Sequence, residues 1–378
     1  MSKLSGCRSV LDHFSALKDP RQSWRVLYPL PEILLLLICG ALTGMDDFVE
    51  IALWGEQRLD FLRRFLPYER GIASHDTLND IVNALDPEVF KACFTAWVEG
   101  LRQDDPEIIA LDGKTSRRSH ARGKGREPLH LVSAWASQQR LVLGQEAVSD
   151  KSNEIIAIPL LLERLELTGA LVTIDAIGTQ RAIAQTIRRR GGDYLLSLKE
   201  NWPATYKDVE AYFADPPPGA LQTVATTDGE HGRIEHRNHA LCHDVAWLFS
   251  NRRYPGEPSF PDLAMIAMVE ATTERNAKTG RERRYYLCSA KLDPTAFARA
   301  VRAHWGIENR LHWVLDVIFH DDLARLRTGH GPQNMAIVKH MAINLIRHPK
   351  DKHSLKVRRK LACLNYHYLE ALLRQSAR

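Results

Sequence analysis

Ile108-Ile109-Ala110-Leu111-Asp112-Gly113-Lys114 decides how this chain is read. Four consecutive apolar residues suit a short strand buried on both faces, and the acid that follows marks its end. Val172-Thr173-Ile174-Asp175-Ala176 repeats the pattern. Residues 129–136 and 140–148 read as two strands joined by Ser137-Gln138-Gln139, and residues 170–174 and 194–198 as two more. Helical periodicity fills 155–167 and 180–190, the latter stopped by Gly191-Gly192. Strand, strand, strand, helix, strand, helix, strand predicts an α/β sheet that begins with antiparallel hairpins.

Outward from this centre the pattern changes. Residues 1–105 read as a helical N-terminal domain, with Phe48, Ile51, Ala52, Leu62, Phe65 and Leu66 recurring at helical spacing. Breakers punctuate it at Asp19-Pro20, Pro29-Leu30-Pro31, Pro67 and Asp86-Pro87, and Ser74 or Asp76 is expected to cap a helix. Asp104-Asp105-Pro106 reads as the boundary to a second domain, 106–347. Within that domain Pro216-Pro217-Pro218-Gly219 opens a β-rich insertion over about 216–290, with alternating stretches at 221–225, 234–242, 264–270 and 284–289. Pro294 then opens a long helix to about residue 318, a second helix covers about 332–346, and 348–378 reads as a basic C-terminal tail.

The 378 residues, 44% hydrophobic and 26% charged, have ordinary globular composition, which excludes a mainly disordered or fibrous chain. The net charge of +5 is uneven: residues 1–107 carry −6 and residues 350–378 carry +6. A polyanionic partner is therefore expected toward the second half. The six cysteines are scattered without a C-x-x-C pair, which suits free thiols in a reducing cytosol better than a disulfide framework or zinc site. The longest apolar run, 33–42, is too short to span a bilayer, so a cytoplasmic protein without a membrane anchor is expected.

Asp112 and Asp175 each follow a buried apolar run, and residues just past strand ends line the ligand crevice of an α/β sheet. Two such acids suit divalent cations that prefer oxygen ligands, although strand-end aspartates also serve as turn and cap residues. A third acid is expected from the helix after Pro294, where His304, Glu308, His312 and Asp316 recur at every fourth residue. Asp316 and the pair Asp321-Asp322 compete with Glu308 for that place. The spacing of His304 and His312 is not that of an H-E-x-x-H zinc helix, so phosphate contact or hydrogen bonding is favoured for them. Lys114, Arg117 and Arg118 open a basic loop beside Asp112, suited to a phosphate backbone. Lys199 and Trp202 follow a strand and are candidates to grip a phosphate and stack a base. Arg233 and Arg237 share one face of an expected strand with Glu235, where they could touch DNA or be balanced by that acid. No nucleophile elbow, Walker-type loop or post-strand G-x-G-x-x-G is present.

Longer blocks go further. Leu111-Asp112-Gly113-Lys114, Asp150-Lys151-Ser152-Asn153-Glu154-Ile155, Thr173-Ile174-Asp175-Ala176, His231-Gly232-Arg233-Ile234-Glu235, His304-Trp305-Gly306-Ile307-Glu308-Asn309 and Leu311-His312-Trp313 occur in this order. With Asp19-Pro20-Arg21 and Ser74-His75-Asp76-Thr77 upstream, nearly the whole chain resembles the H-repeat-associated branch of bacterial insertion-sequence transposases of the DDE type. The resemblance implies an RNase H-like catalytic domain whose third acid follows the insertion. Asp112 and Asp175 would be the two aspartates and Glu308 the glutamate, separated by 63 and 133 residues. It implies two Mg²⁺ or Mn²⁺ ions, strand cleavage and strand transfer, terminal inverted repeats and target DNA as partners, a homodimer in the active complex, and association with the nucleoid when bound to DNA. Three positions depart from related patterns. His304 stands where an arginine is expected, Leu315 where a lysine is expected, and Lys199-Glu200-Asn201-Trp202 where the branch usually has Lys-Gly-Asn-Gln. Two other readings stand beside the transposase: a structure-specific nuclease using the same acids, and a non-catalytic DNA-binding regulator.

Overall fold

A computed structural model of the chain describes residues 10–103, 107–120, 127–148, 154–230, 233–248, 260–275 and 278–374. Asp104-Asp105-Pro106, residues 121–126, the block 150–153 and His231-Gly232 lie outside the described residues. The fold is mixed α/β with a large sheet and many helices. Two compact units are built from interleaved segments: one from 1–104, 113–153 and 308–378, the other from 105–112 and 154–307.

The first unit opens with α1 (Leu30–Thr43), α2 (Phe48–Gln57), α3 (Leu59–Leu62), α4 (His75–Ala84) and α5 (Pro87–Glu99). Three of these starts are set by side-chain caps. Asp47 accepts from the backbone N–H of Glu50, Ser74 from that of Thr77, and Asp86 from those of Glu88 and Val89 with Pro87 in the first turn. Ser74, not Asp76, is thus the cap of α4. α1 is buried nearly all round, as a helix apolar on every side must be. Even its Glu32 is buried, and accepts from the backbone N–H of Tyr68 at 2.6 Å.

Strand β1 (Ile108–Ser116) runs through both units, its residues to Asp112 in the second and those from Gly113 in the first. In the first unit it is followed by β2 (Leu129–Ala136) and β3 (Leu141–Val148), an antiparallel pair, giving the order β3-β2-β1. β1 is longer than the apolar run suggests, because Lys114, Thr115 and Ser116 use their side chains within the unit.

The second unit continues with α6 (Glu154–Glu163), β4 (Leu171–Ile174), α7 (Arg181–Arg189), β5 (Asp193–Leu198) and α8 (Pro203–Ala214). It then holds β6 (Gln222–Glu230), β7 (Arg233–Cys242), β8 (Met265–Arg275), β9 (Lys278–Cys288) and α9 (Pro294–Ile307). The strand order here is β1-β4-β5-β9-β8-β7-β6. β1, β4 and β5 are parallel, and β9 pairs antiparallel with β5 through Leu195↔Cys288 to Leu198↔Tyr285. The strands expected as an insertion therefore extend the sheet itself. The reason is apolar: Met265, Ala267, Val269, Tyr286 and Cys288 form one buried cluster with Leu195 and with Phe297, Ala300 and Val301 of α9.

The long helix expected after Pro294 runs to Val317 but carries a π-helical turn within it. α9 ends at Ile307, a π-helical turn covers Glu308–His312, and α10 (Trp313–Val317) follows. Such a turn holds more residues than an α-turn, so the four-residue stripe is not one straight face. α11 (Gly331–Arg347) packs in the first unit against α1, α4, α5 and β3. Its Asn344 amide covers the outer edge of β3, accepting from Val142 N–H at 2.8 Å and donating to Val142 C=O at 2.9 Å. Its Asn334 donates to the carbonyls of Val82 and Leu85, at 2.8 and 3.0 Å, at the end of α4.

The segment expected as a basic tail is helical through α12 (Leu355–Leu364) and α13 (Tyr366–Leu373). Arg358 and Arg359 are buried in it. Arg358 donates to the carbonyl of Ile346 at 2.9 Å and Arg359 to that of Ala41 at 3.0 Å, so both serve helix C-termini. No helix among the described residues is long and apolar enough to cross a membrane.

Candidate active site

In the second unit the parallel register of β1 and β4 ends at Leu111↔Ile174. The next residues are Asp112, within β1, and Asp175, just past β4, so the two acids follow the last paired residues of adjacent parallel strands. β1 and β4 are buried apolar strands, which fixes this register against slippage. The Asp175 carboxylate accepts from the backbone N–H groups of Ile177 and Gly178 at 3.1 and 3.3 Å, through one oxygen, Oδ1. The turn it opens is braced from the segment after β5. Asn201 donates to the carbonyl of Ala176 and the Trp202 indole N–H to that of Thr179, each at 2.7 Å.

His304 on α9 shares a hydrogen bond with the Thr173 hydroxyl at 3.0 Å, two residues before Asp175. Burial lowers its pKa, and the nearby Asp175 charge and the bond at Thr173 partly offset this.

In the first unit Glu308 opens the π-helical turn and His312 closes it, with the His312 Nδ1 and Glu308 Oε2 2.9 Å apart. That hydrogen bond holds the Glu308 carboxyl below the ordinary glutamate value. Burial opposes it, and the charges of His312 and Lys114 reinforce it. The Glu308 side chain is 59% exposed while His312 is buried.

The competing acids are otherwise engaged. Asp316 pairs with Lys114 at 2.6 Å, and Asp322 with Lys114 and Arg117 at 3.5 Å each. Asp321 is buried, 2.7 Å from Lys339 Nζ and 2.7 Å from the Ser116 hydroxyl that donates to it. Each of these aspartates has a lysine or arginine within ion-pair distance; Glu308 is paired with a histidine.

The expected DNA contacts divide. Arg117, Arg118 and Lys199 are exposed. Lys114 is largely buried between Asp316 and Asp322. Arg237 is ion-paired with Asp228 and, at 2.9 Å, with Glu235. Trp202 packs edge-on against Phe260 with ring centroids 5.1 Å apart, so its ring braces the Asp175 turn and does not stand free to stack a base. β7 contains Arg233, whose side chain lies outside the described residues. Sequence reasoning missed α8 altogether, although Trp202-Pro203 carried the signal of a proline in a first helical turn. It also missed the buried Lys339–Asp321 pair, for which periodicity gives no sign.

The description "Transposase DDE domain" matches residues 82–345. The chain belongs to this transposase family. A second description, "DDE_Tnp_1-associated", matches residues 11–98, overlapping the start of the DDE match. The "H repeat-associated putative transposase YhhI" of Escherichia coli K12 is 34% identical over 373 residues, covering 97% of this chain and 98% of that protein. The "Putative transposase YncI" of Escherichia coli O157:H7 is 36% identical over 97% of this chain and 94% of its own length. An "Uncharacterized protein in dhlA 3'region" of Xanthobacter autotrophicus is 39% identical over 78% of this chain and the whole of its own length. The transposase match takes in β1 through most of α11, and with it Asp112, Asp175 and Glu308.

Proposed function

We propose that this chain cuts DNA at the ends of an insertion sequence and joins the freed 3′ end to target DNA, with Asp112, Asp175 and Glu308 as its three acids. The observation that carries this reading is the register of β1 and β4, two neighbouring parallel strands whose last paired residues are followed by Asp112 and Asp175. The engagement of Asp316, Asp321 and Asp322 with cations supports Glu308 as the third acid. The succession β3-β2-β1 in one unit and β1-β4-β5 in the other, sharing β1, is in keeping with an RNase H-like catalytic domain preceded by a helical N-terminal domain.

The donor set fits hard divalent cations: it is carboxylate oxygen without a thiolate among it. Asp112, Asp175 and Glu308 would hold two Mg²⁺ or Mn²⁺ ions, whose charge activates an attacking oxygen and stabilises a leaving one. The remaining work falls to the chain. The Ile177 and Gly178 N–H groups fix one oxygen of Asp175, and Asn201 and Trp202 hold the turn that presents it. His312 orients Glu308 and keeps it ionised. Arg117, Arg118 and Lys199 are exposed cations suited to phosphate oxygens.

In the first step a water oxygen bonds to phosphorus and the P–O bond to the 3′ oxygen breaks, leaving a 3′-hydroxyl. In the second that hydroxyl bonds to a target phosphorus and displaces a target 3′ oxygen, which takes up a proton. One phosphoester bond forms for each that breaks in the joining step, so no nucleotide cofactor is required. The active species in this proposal is a homodimer on terminal inverted repeats.

The test is cleavage and joining on DNA carrying the flanking element ends, with Mg²⁺ and with chelator. Joined product that needs the metal and disappears in Asp112→Ala supports the reading. Cutting without joining identifies a nuclease, and binding that survives chelation with no cutting identifies a regulator.

A further inference from the structure

Ser116 and Ser119 close a turn whose two middle residues are Arg117 and Arg118. The Ser119 N–H donates to the Ser116 carbonyl at 3.1 Å, and both serines are buried. Their hydroxyls anchor the turn. Ser116 donates to Asp321 at 2.7 Å, and Ser119 donates to the Ser116 carbonyl at 2.7 Å while accepting from the Leu129 N–H at 2.6 Å. The tip is exposed, the Arg117 side chain by 80%. Turn geometry does not call for arginine at these positions, which Gly, Pro, Asn, Asp and Ser ordinarily fill, and neighbouring cations repel.

A second segment runs beside this tip. Residues 324–327, between the short turn Asp321–Leu323 and α11, alternate in exposure: Ala324 and Leu326 are half-buried, Arg325 and Arg327 exposed. Such alternation puts the two arginines on one side of the chain. The segments are joined at two points. Arg327 Nε donates to the Arg118 carbonyl at 3.0 Å, and the Asp322 carboxylate accepts from the Arg117 N–H at 3.4 Å. Asp322 is also shared between the Lys114 and Arg117 side chains, each at 3.5 Å. Arg118 and Arg325 have no carboxylate within ion-pair distance among the described residues.

We infer that Arg325 and Arg327 complete, with Arg117 and Arg118, a ledge on the first unit that holds the phosphate backbone of duplex DNA whatever its sequence. Planar guanidinium groups match phosphate oxygens in pairs. Contacts of this kind fix the position of a duplex and carry no sequence information. The buried serines and the Arg327 bond hold the two segments together before DNA arrives, which lowers the ordering cost of binding. DNA as the polyanion rests on the proposed function; binding at the ledge needs neither metal nor cutting.

The experiment uses the full chain in chelator, so that nothing is cut, and two short duplexes of unrelated sequence, with anisotropy measured from about 50 to 200 mM KCl. Arg118→Gln and Arg325→Gln each remove one exposed charge that has no ion pair, so both should melt as the wild type does; Arg70→Gln, on an exposed residue of the acidic N-terminal part, controls for net charge. Each of the first two is expected to flatten the slope of log K against log salt by about 1 on both duplexes, and the control to leave it unchanged. Wild-type slopes in the two variants, or equal flattening in Arg70→Gln, overturn the ledge and leave the proposed function standing. A loss confined to one duplex overturns its indifference to sequence. Joining by the wild type with Mg²⁺ is scored separately: a chain that binds both duplexes through these arginines but joins nothing keeps the ledge and overturns the proposed function. Wild type that binds neither duplex overturns both.

Discussion

Lys339→Met tests how the buried polar network in the first unit is built. Asp321 accepts from Lys339 and from the Ser116 hydroxyl, each at 2.7 Å, and both members of the ion pair are buried. Burial raises the Asp321 pKa, but Lys339, Ser116 and Lys114 outweigh it and bring the carboxyl down to about 2. Removing the lysine leaves a buried carboxylate with one hydroxyl, and breaking such a pair costs about 3–5 kcal/mol. At about 2–4 °C per kcal/mol for a domain of 150–250 residues, the Tm should fall by roughly 6–20 °C at pH 7. Adding Asp321→Asn should restore part of the loss, because a neutral amide no longer needs a cation.

The pH dependence has a definite sign. In the wild type the folded pKa lies below the ordinary value of 3.8, so this carboxylate's contribution is present above that value and lost as pH falls toward 2. In Lys339→Met burial dominates and the folded pKa lies above 3.8. The penalty should therefore shrink as pH falls through it. Thermal melts by circular dichroism from pH 2 to 8 measure both effects. A single variant within 1 kcal/mol of wild type, or a double variant no more stable than the single, refutes the reasoning.

Asn344→Ala strips the outer edge of β3 of both hydrogen bonds to Val142 and should cost about 2–4 kcal/mol, seen as faster amide exchange at Val142 and a lower urea midpoint. Trp202→Phe loses the bond to the Thr179 carbonyl and should destabilise by about 1–2 kcal/mol while non-specific DNA affinity stays constant, which binding titrations and melts together would check. His312→Phe removes the partner that lowers the Glu308 pKa, so carboxyl-labelled NMR should find Glu308 titrating at higher pH than in the wild type.

The strands that carry Asp112 and Asp175 were legible because each is a short apolar run ended by an acid, and burial on both faces leaves such a run few other solutions. Helix starts were legible where chemistry is local: Ser74, Asp86 and Pro87 act within one turn of themselves. The outer strands were underestimated because Thr279-Gly280-Arg281-Glu282-Arg283 is polar, and its pairing to β8 is settled by a partner far away in sequence. The π-helical turn at Glu308 was invisible in the sequence, since His304, Glu308, His312 and Asp316 keep ordinary helical spacing. The net +6 of the last segment suggested a solvated tail, whereas Arg358 and Arg359 are consumed by carbonyls of α11 and α1. Charge content does not reveal that a cation has an acceptor inside the fold. The same blindness hid Lys339 with Asp321, and left Glu308, Asp316 and Asp321-Asp322 as rivals in the sequence.

The most direct measurement is strand transfer by Asp175→Asn, Glu308→Gln and Asp316→Asn, on element-end DNA with Mg²⁺, each variant first shown to melt as the wild type does. The account predicts that the first two form no joined product, a loss of at least about 100-fold as expected when a ligand to a catalytic metal is removed, and that Asp316→Asn still joins. Joined product from Glu308→Gln at the wild-type level, with Asp316→Asn inactive, would contradict it.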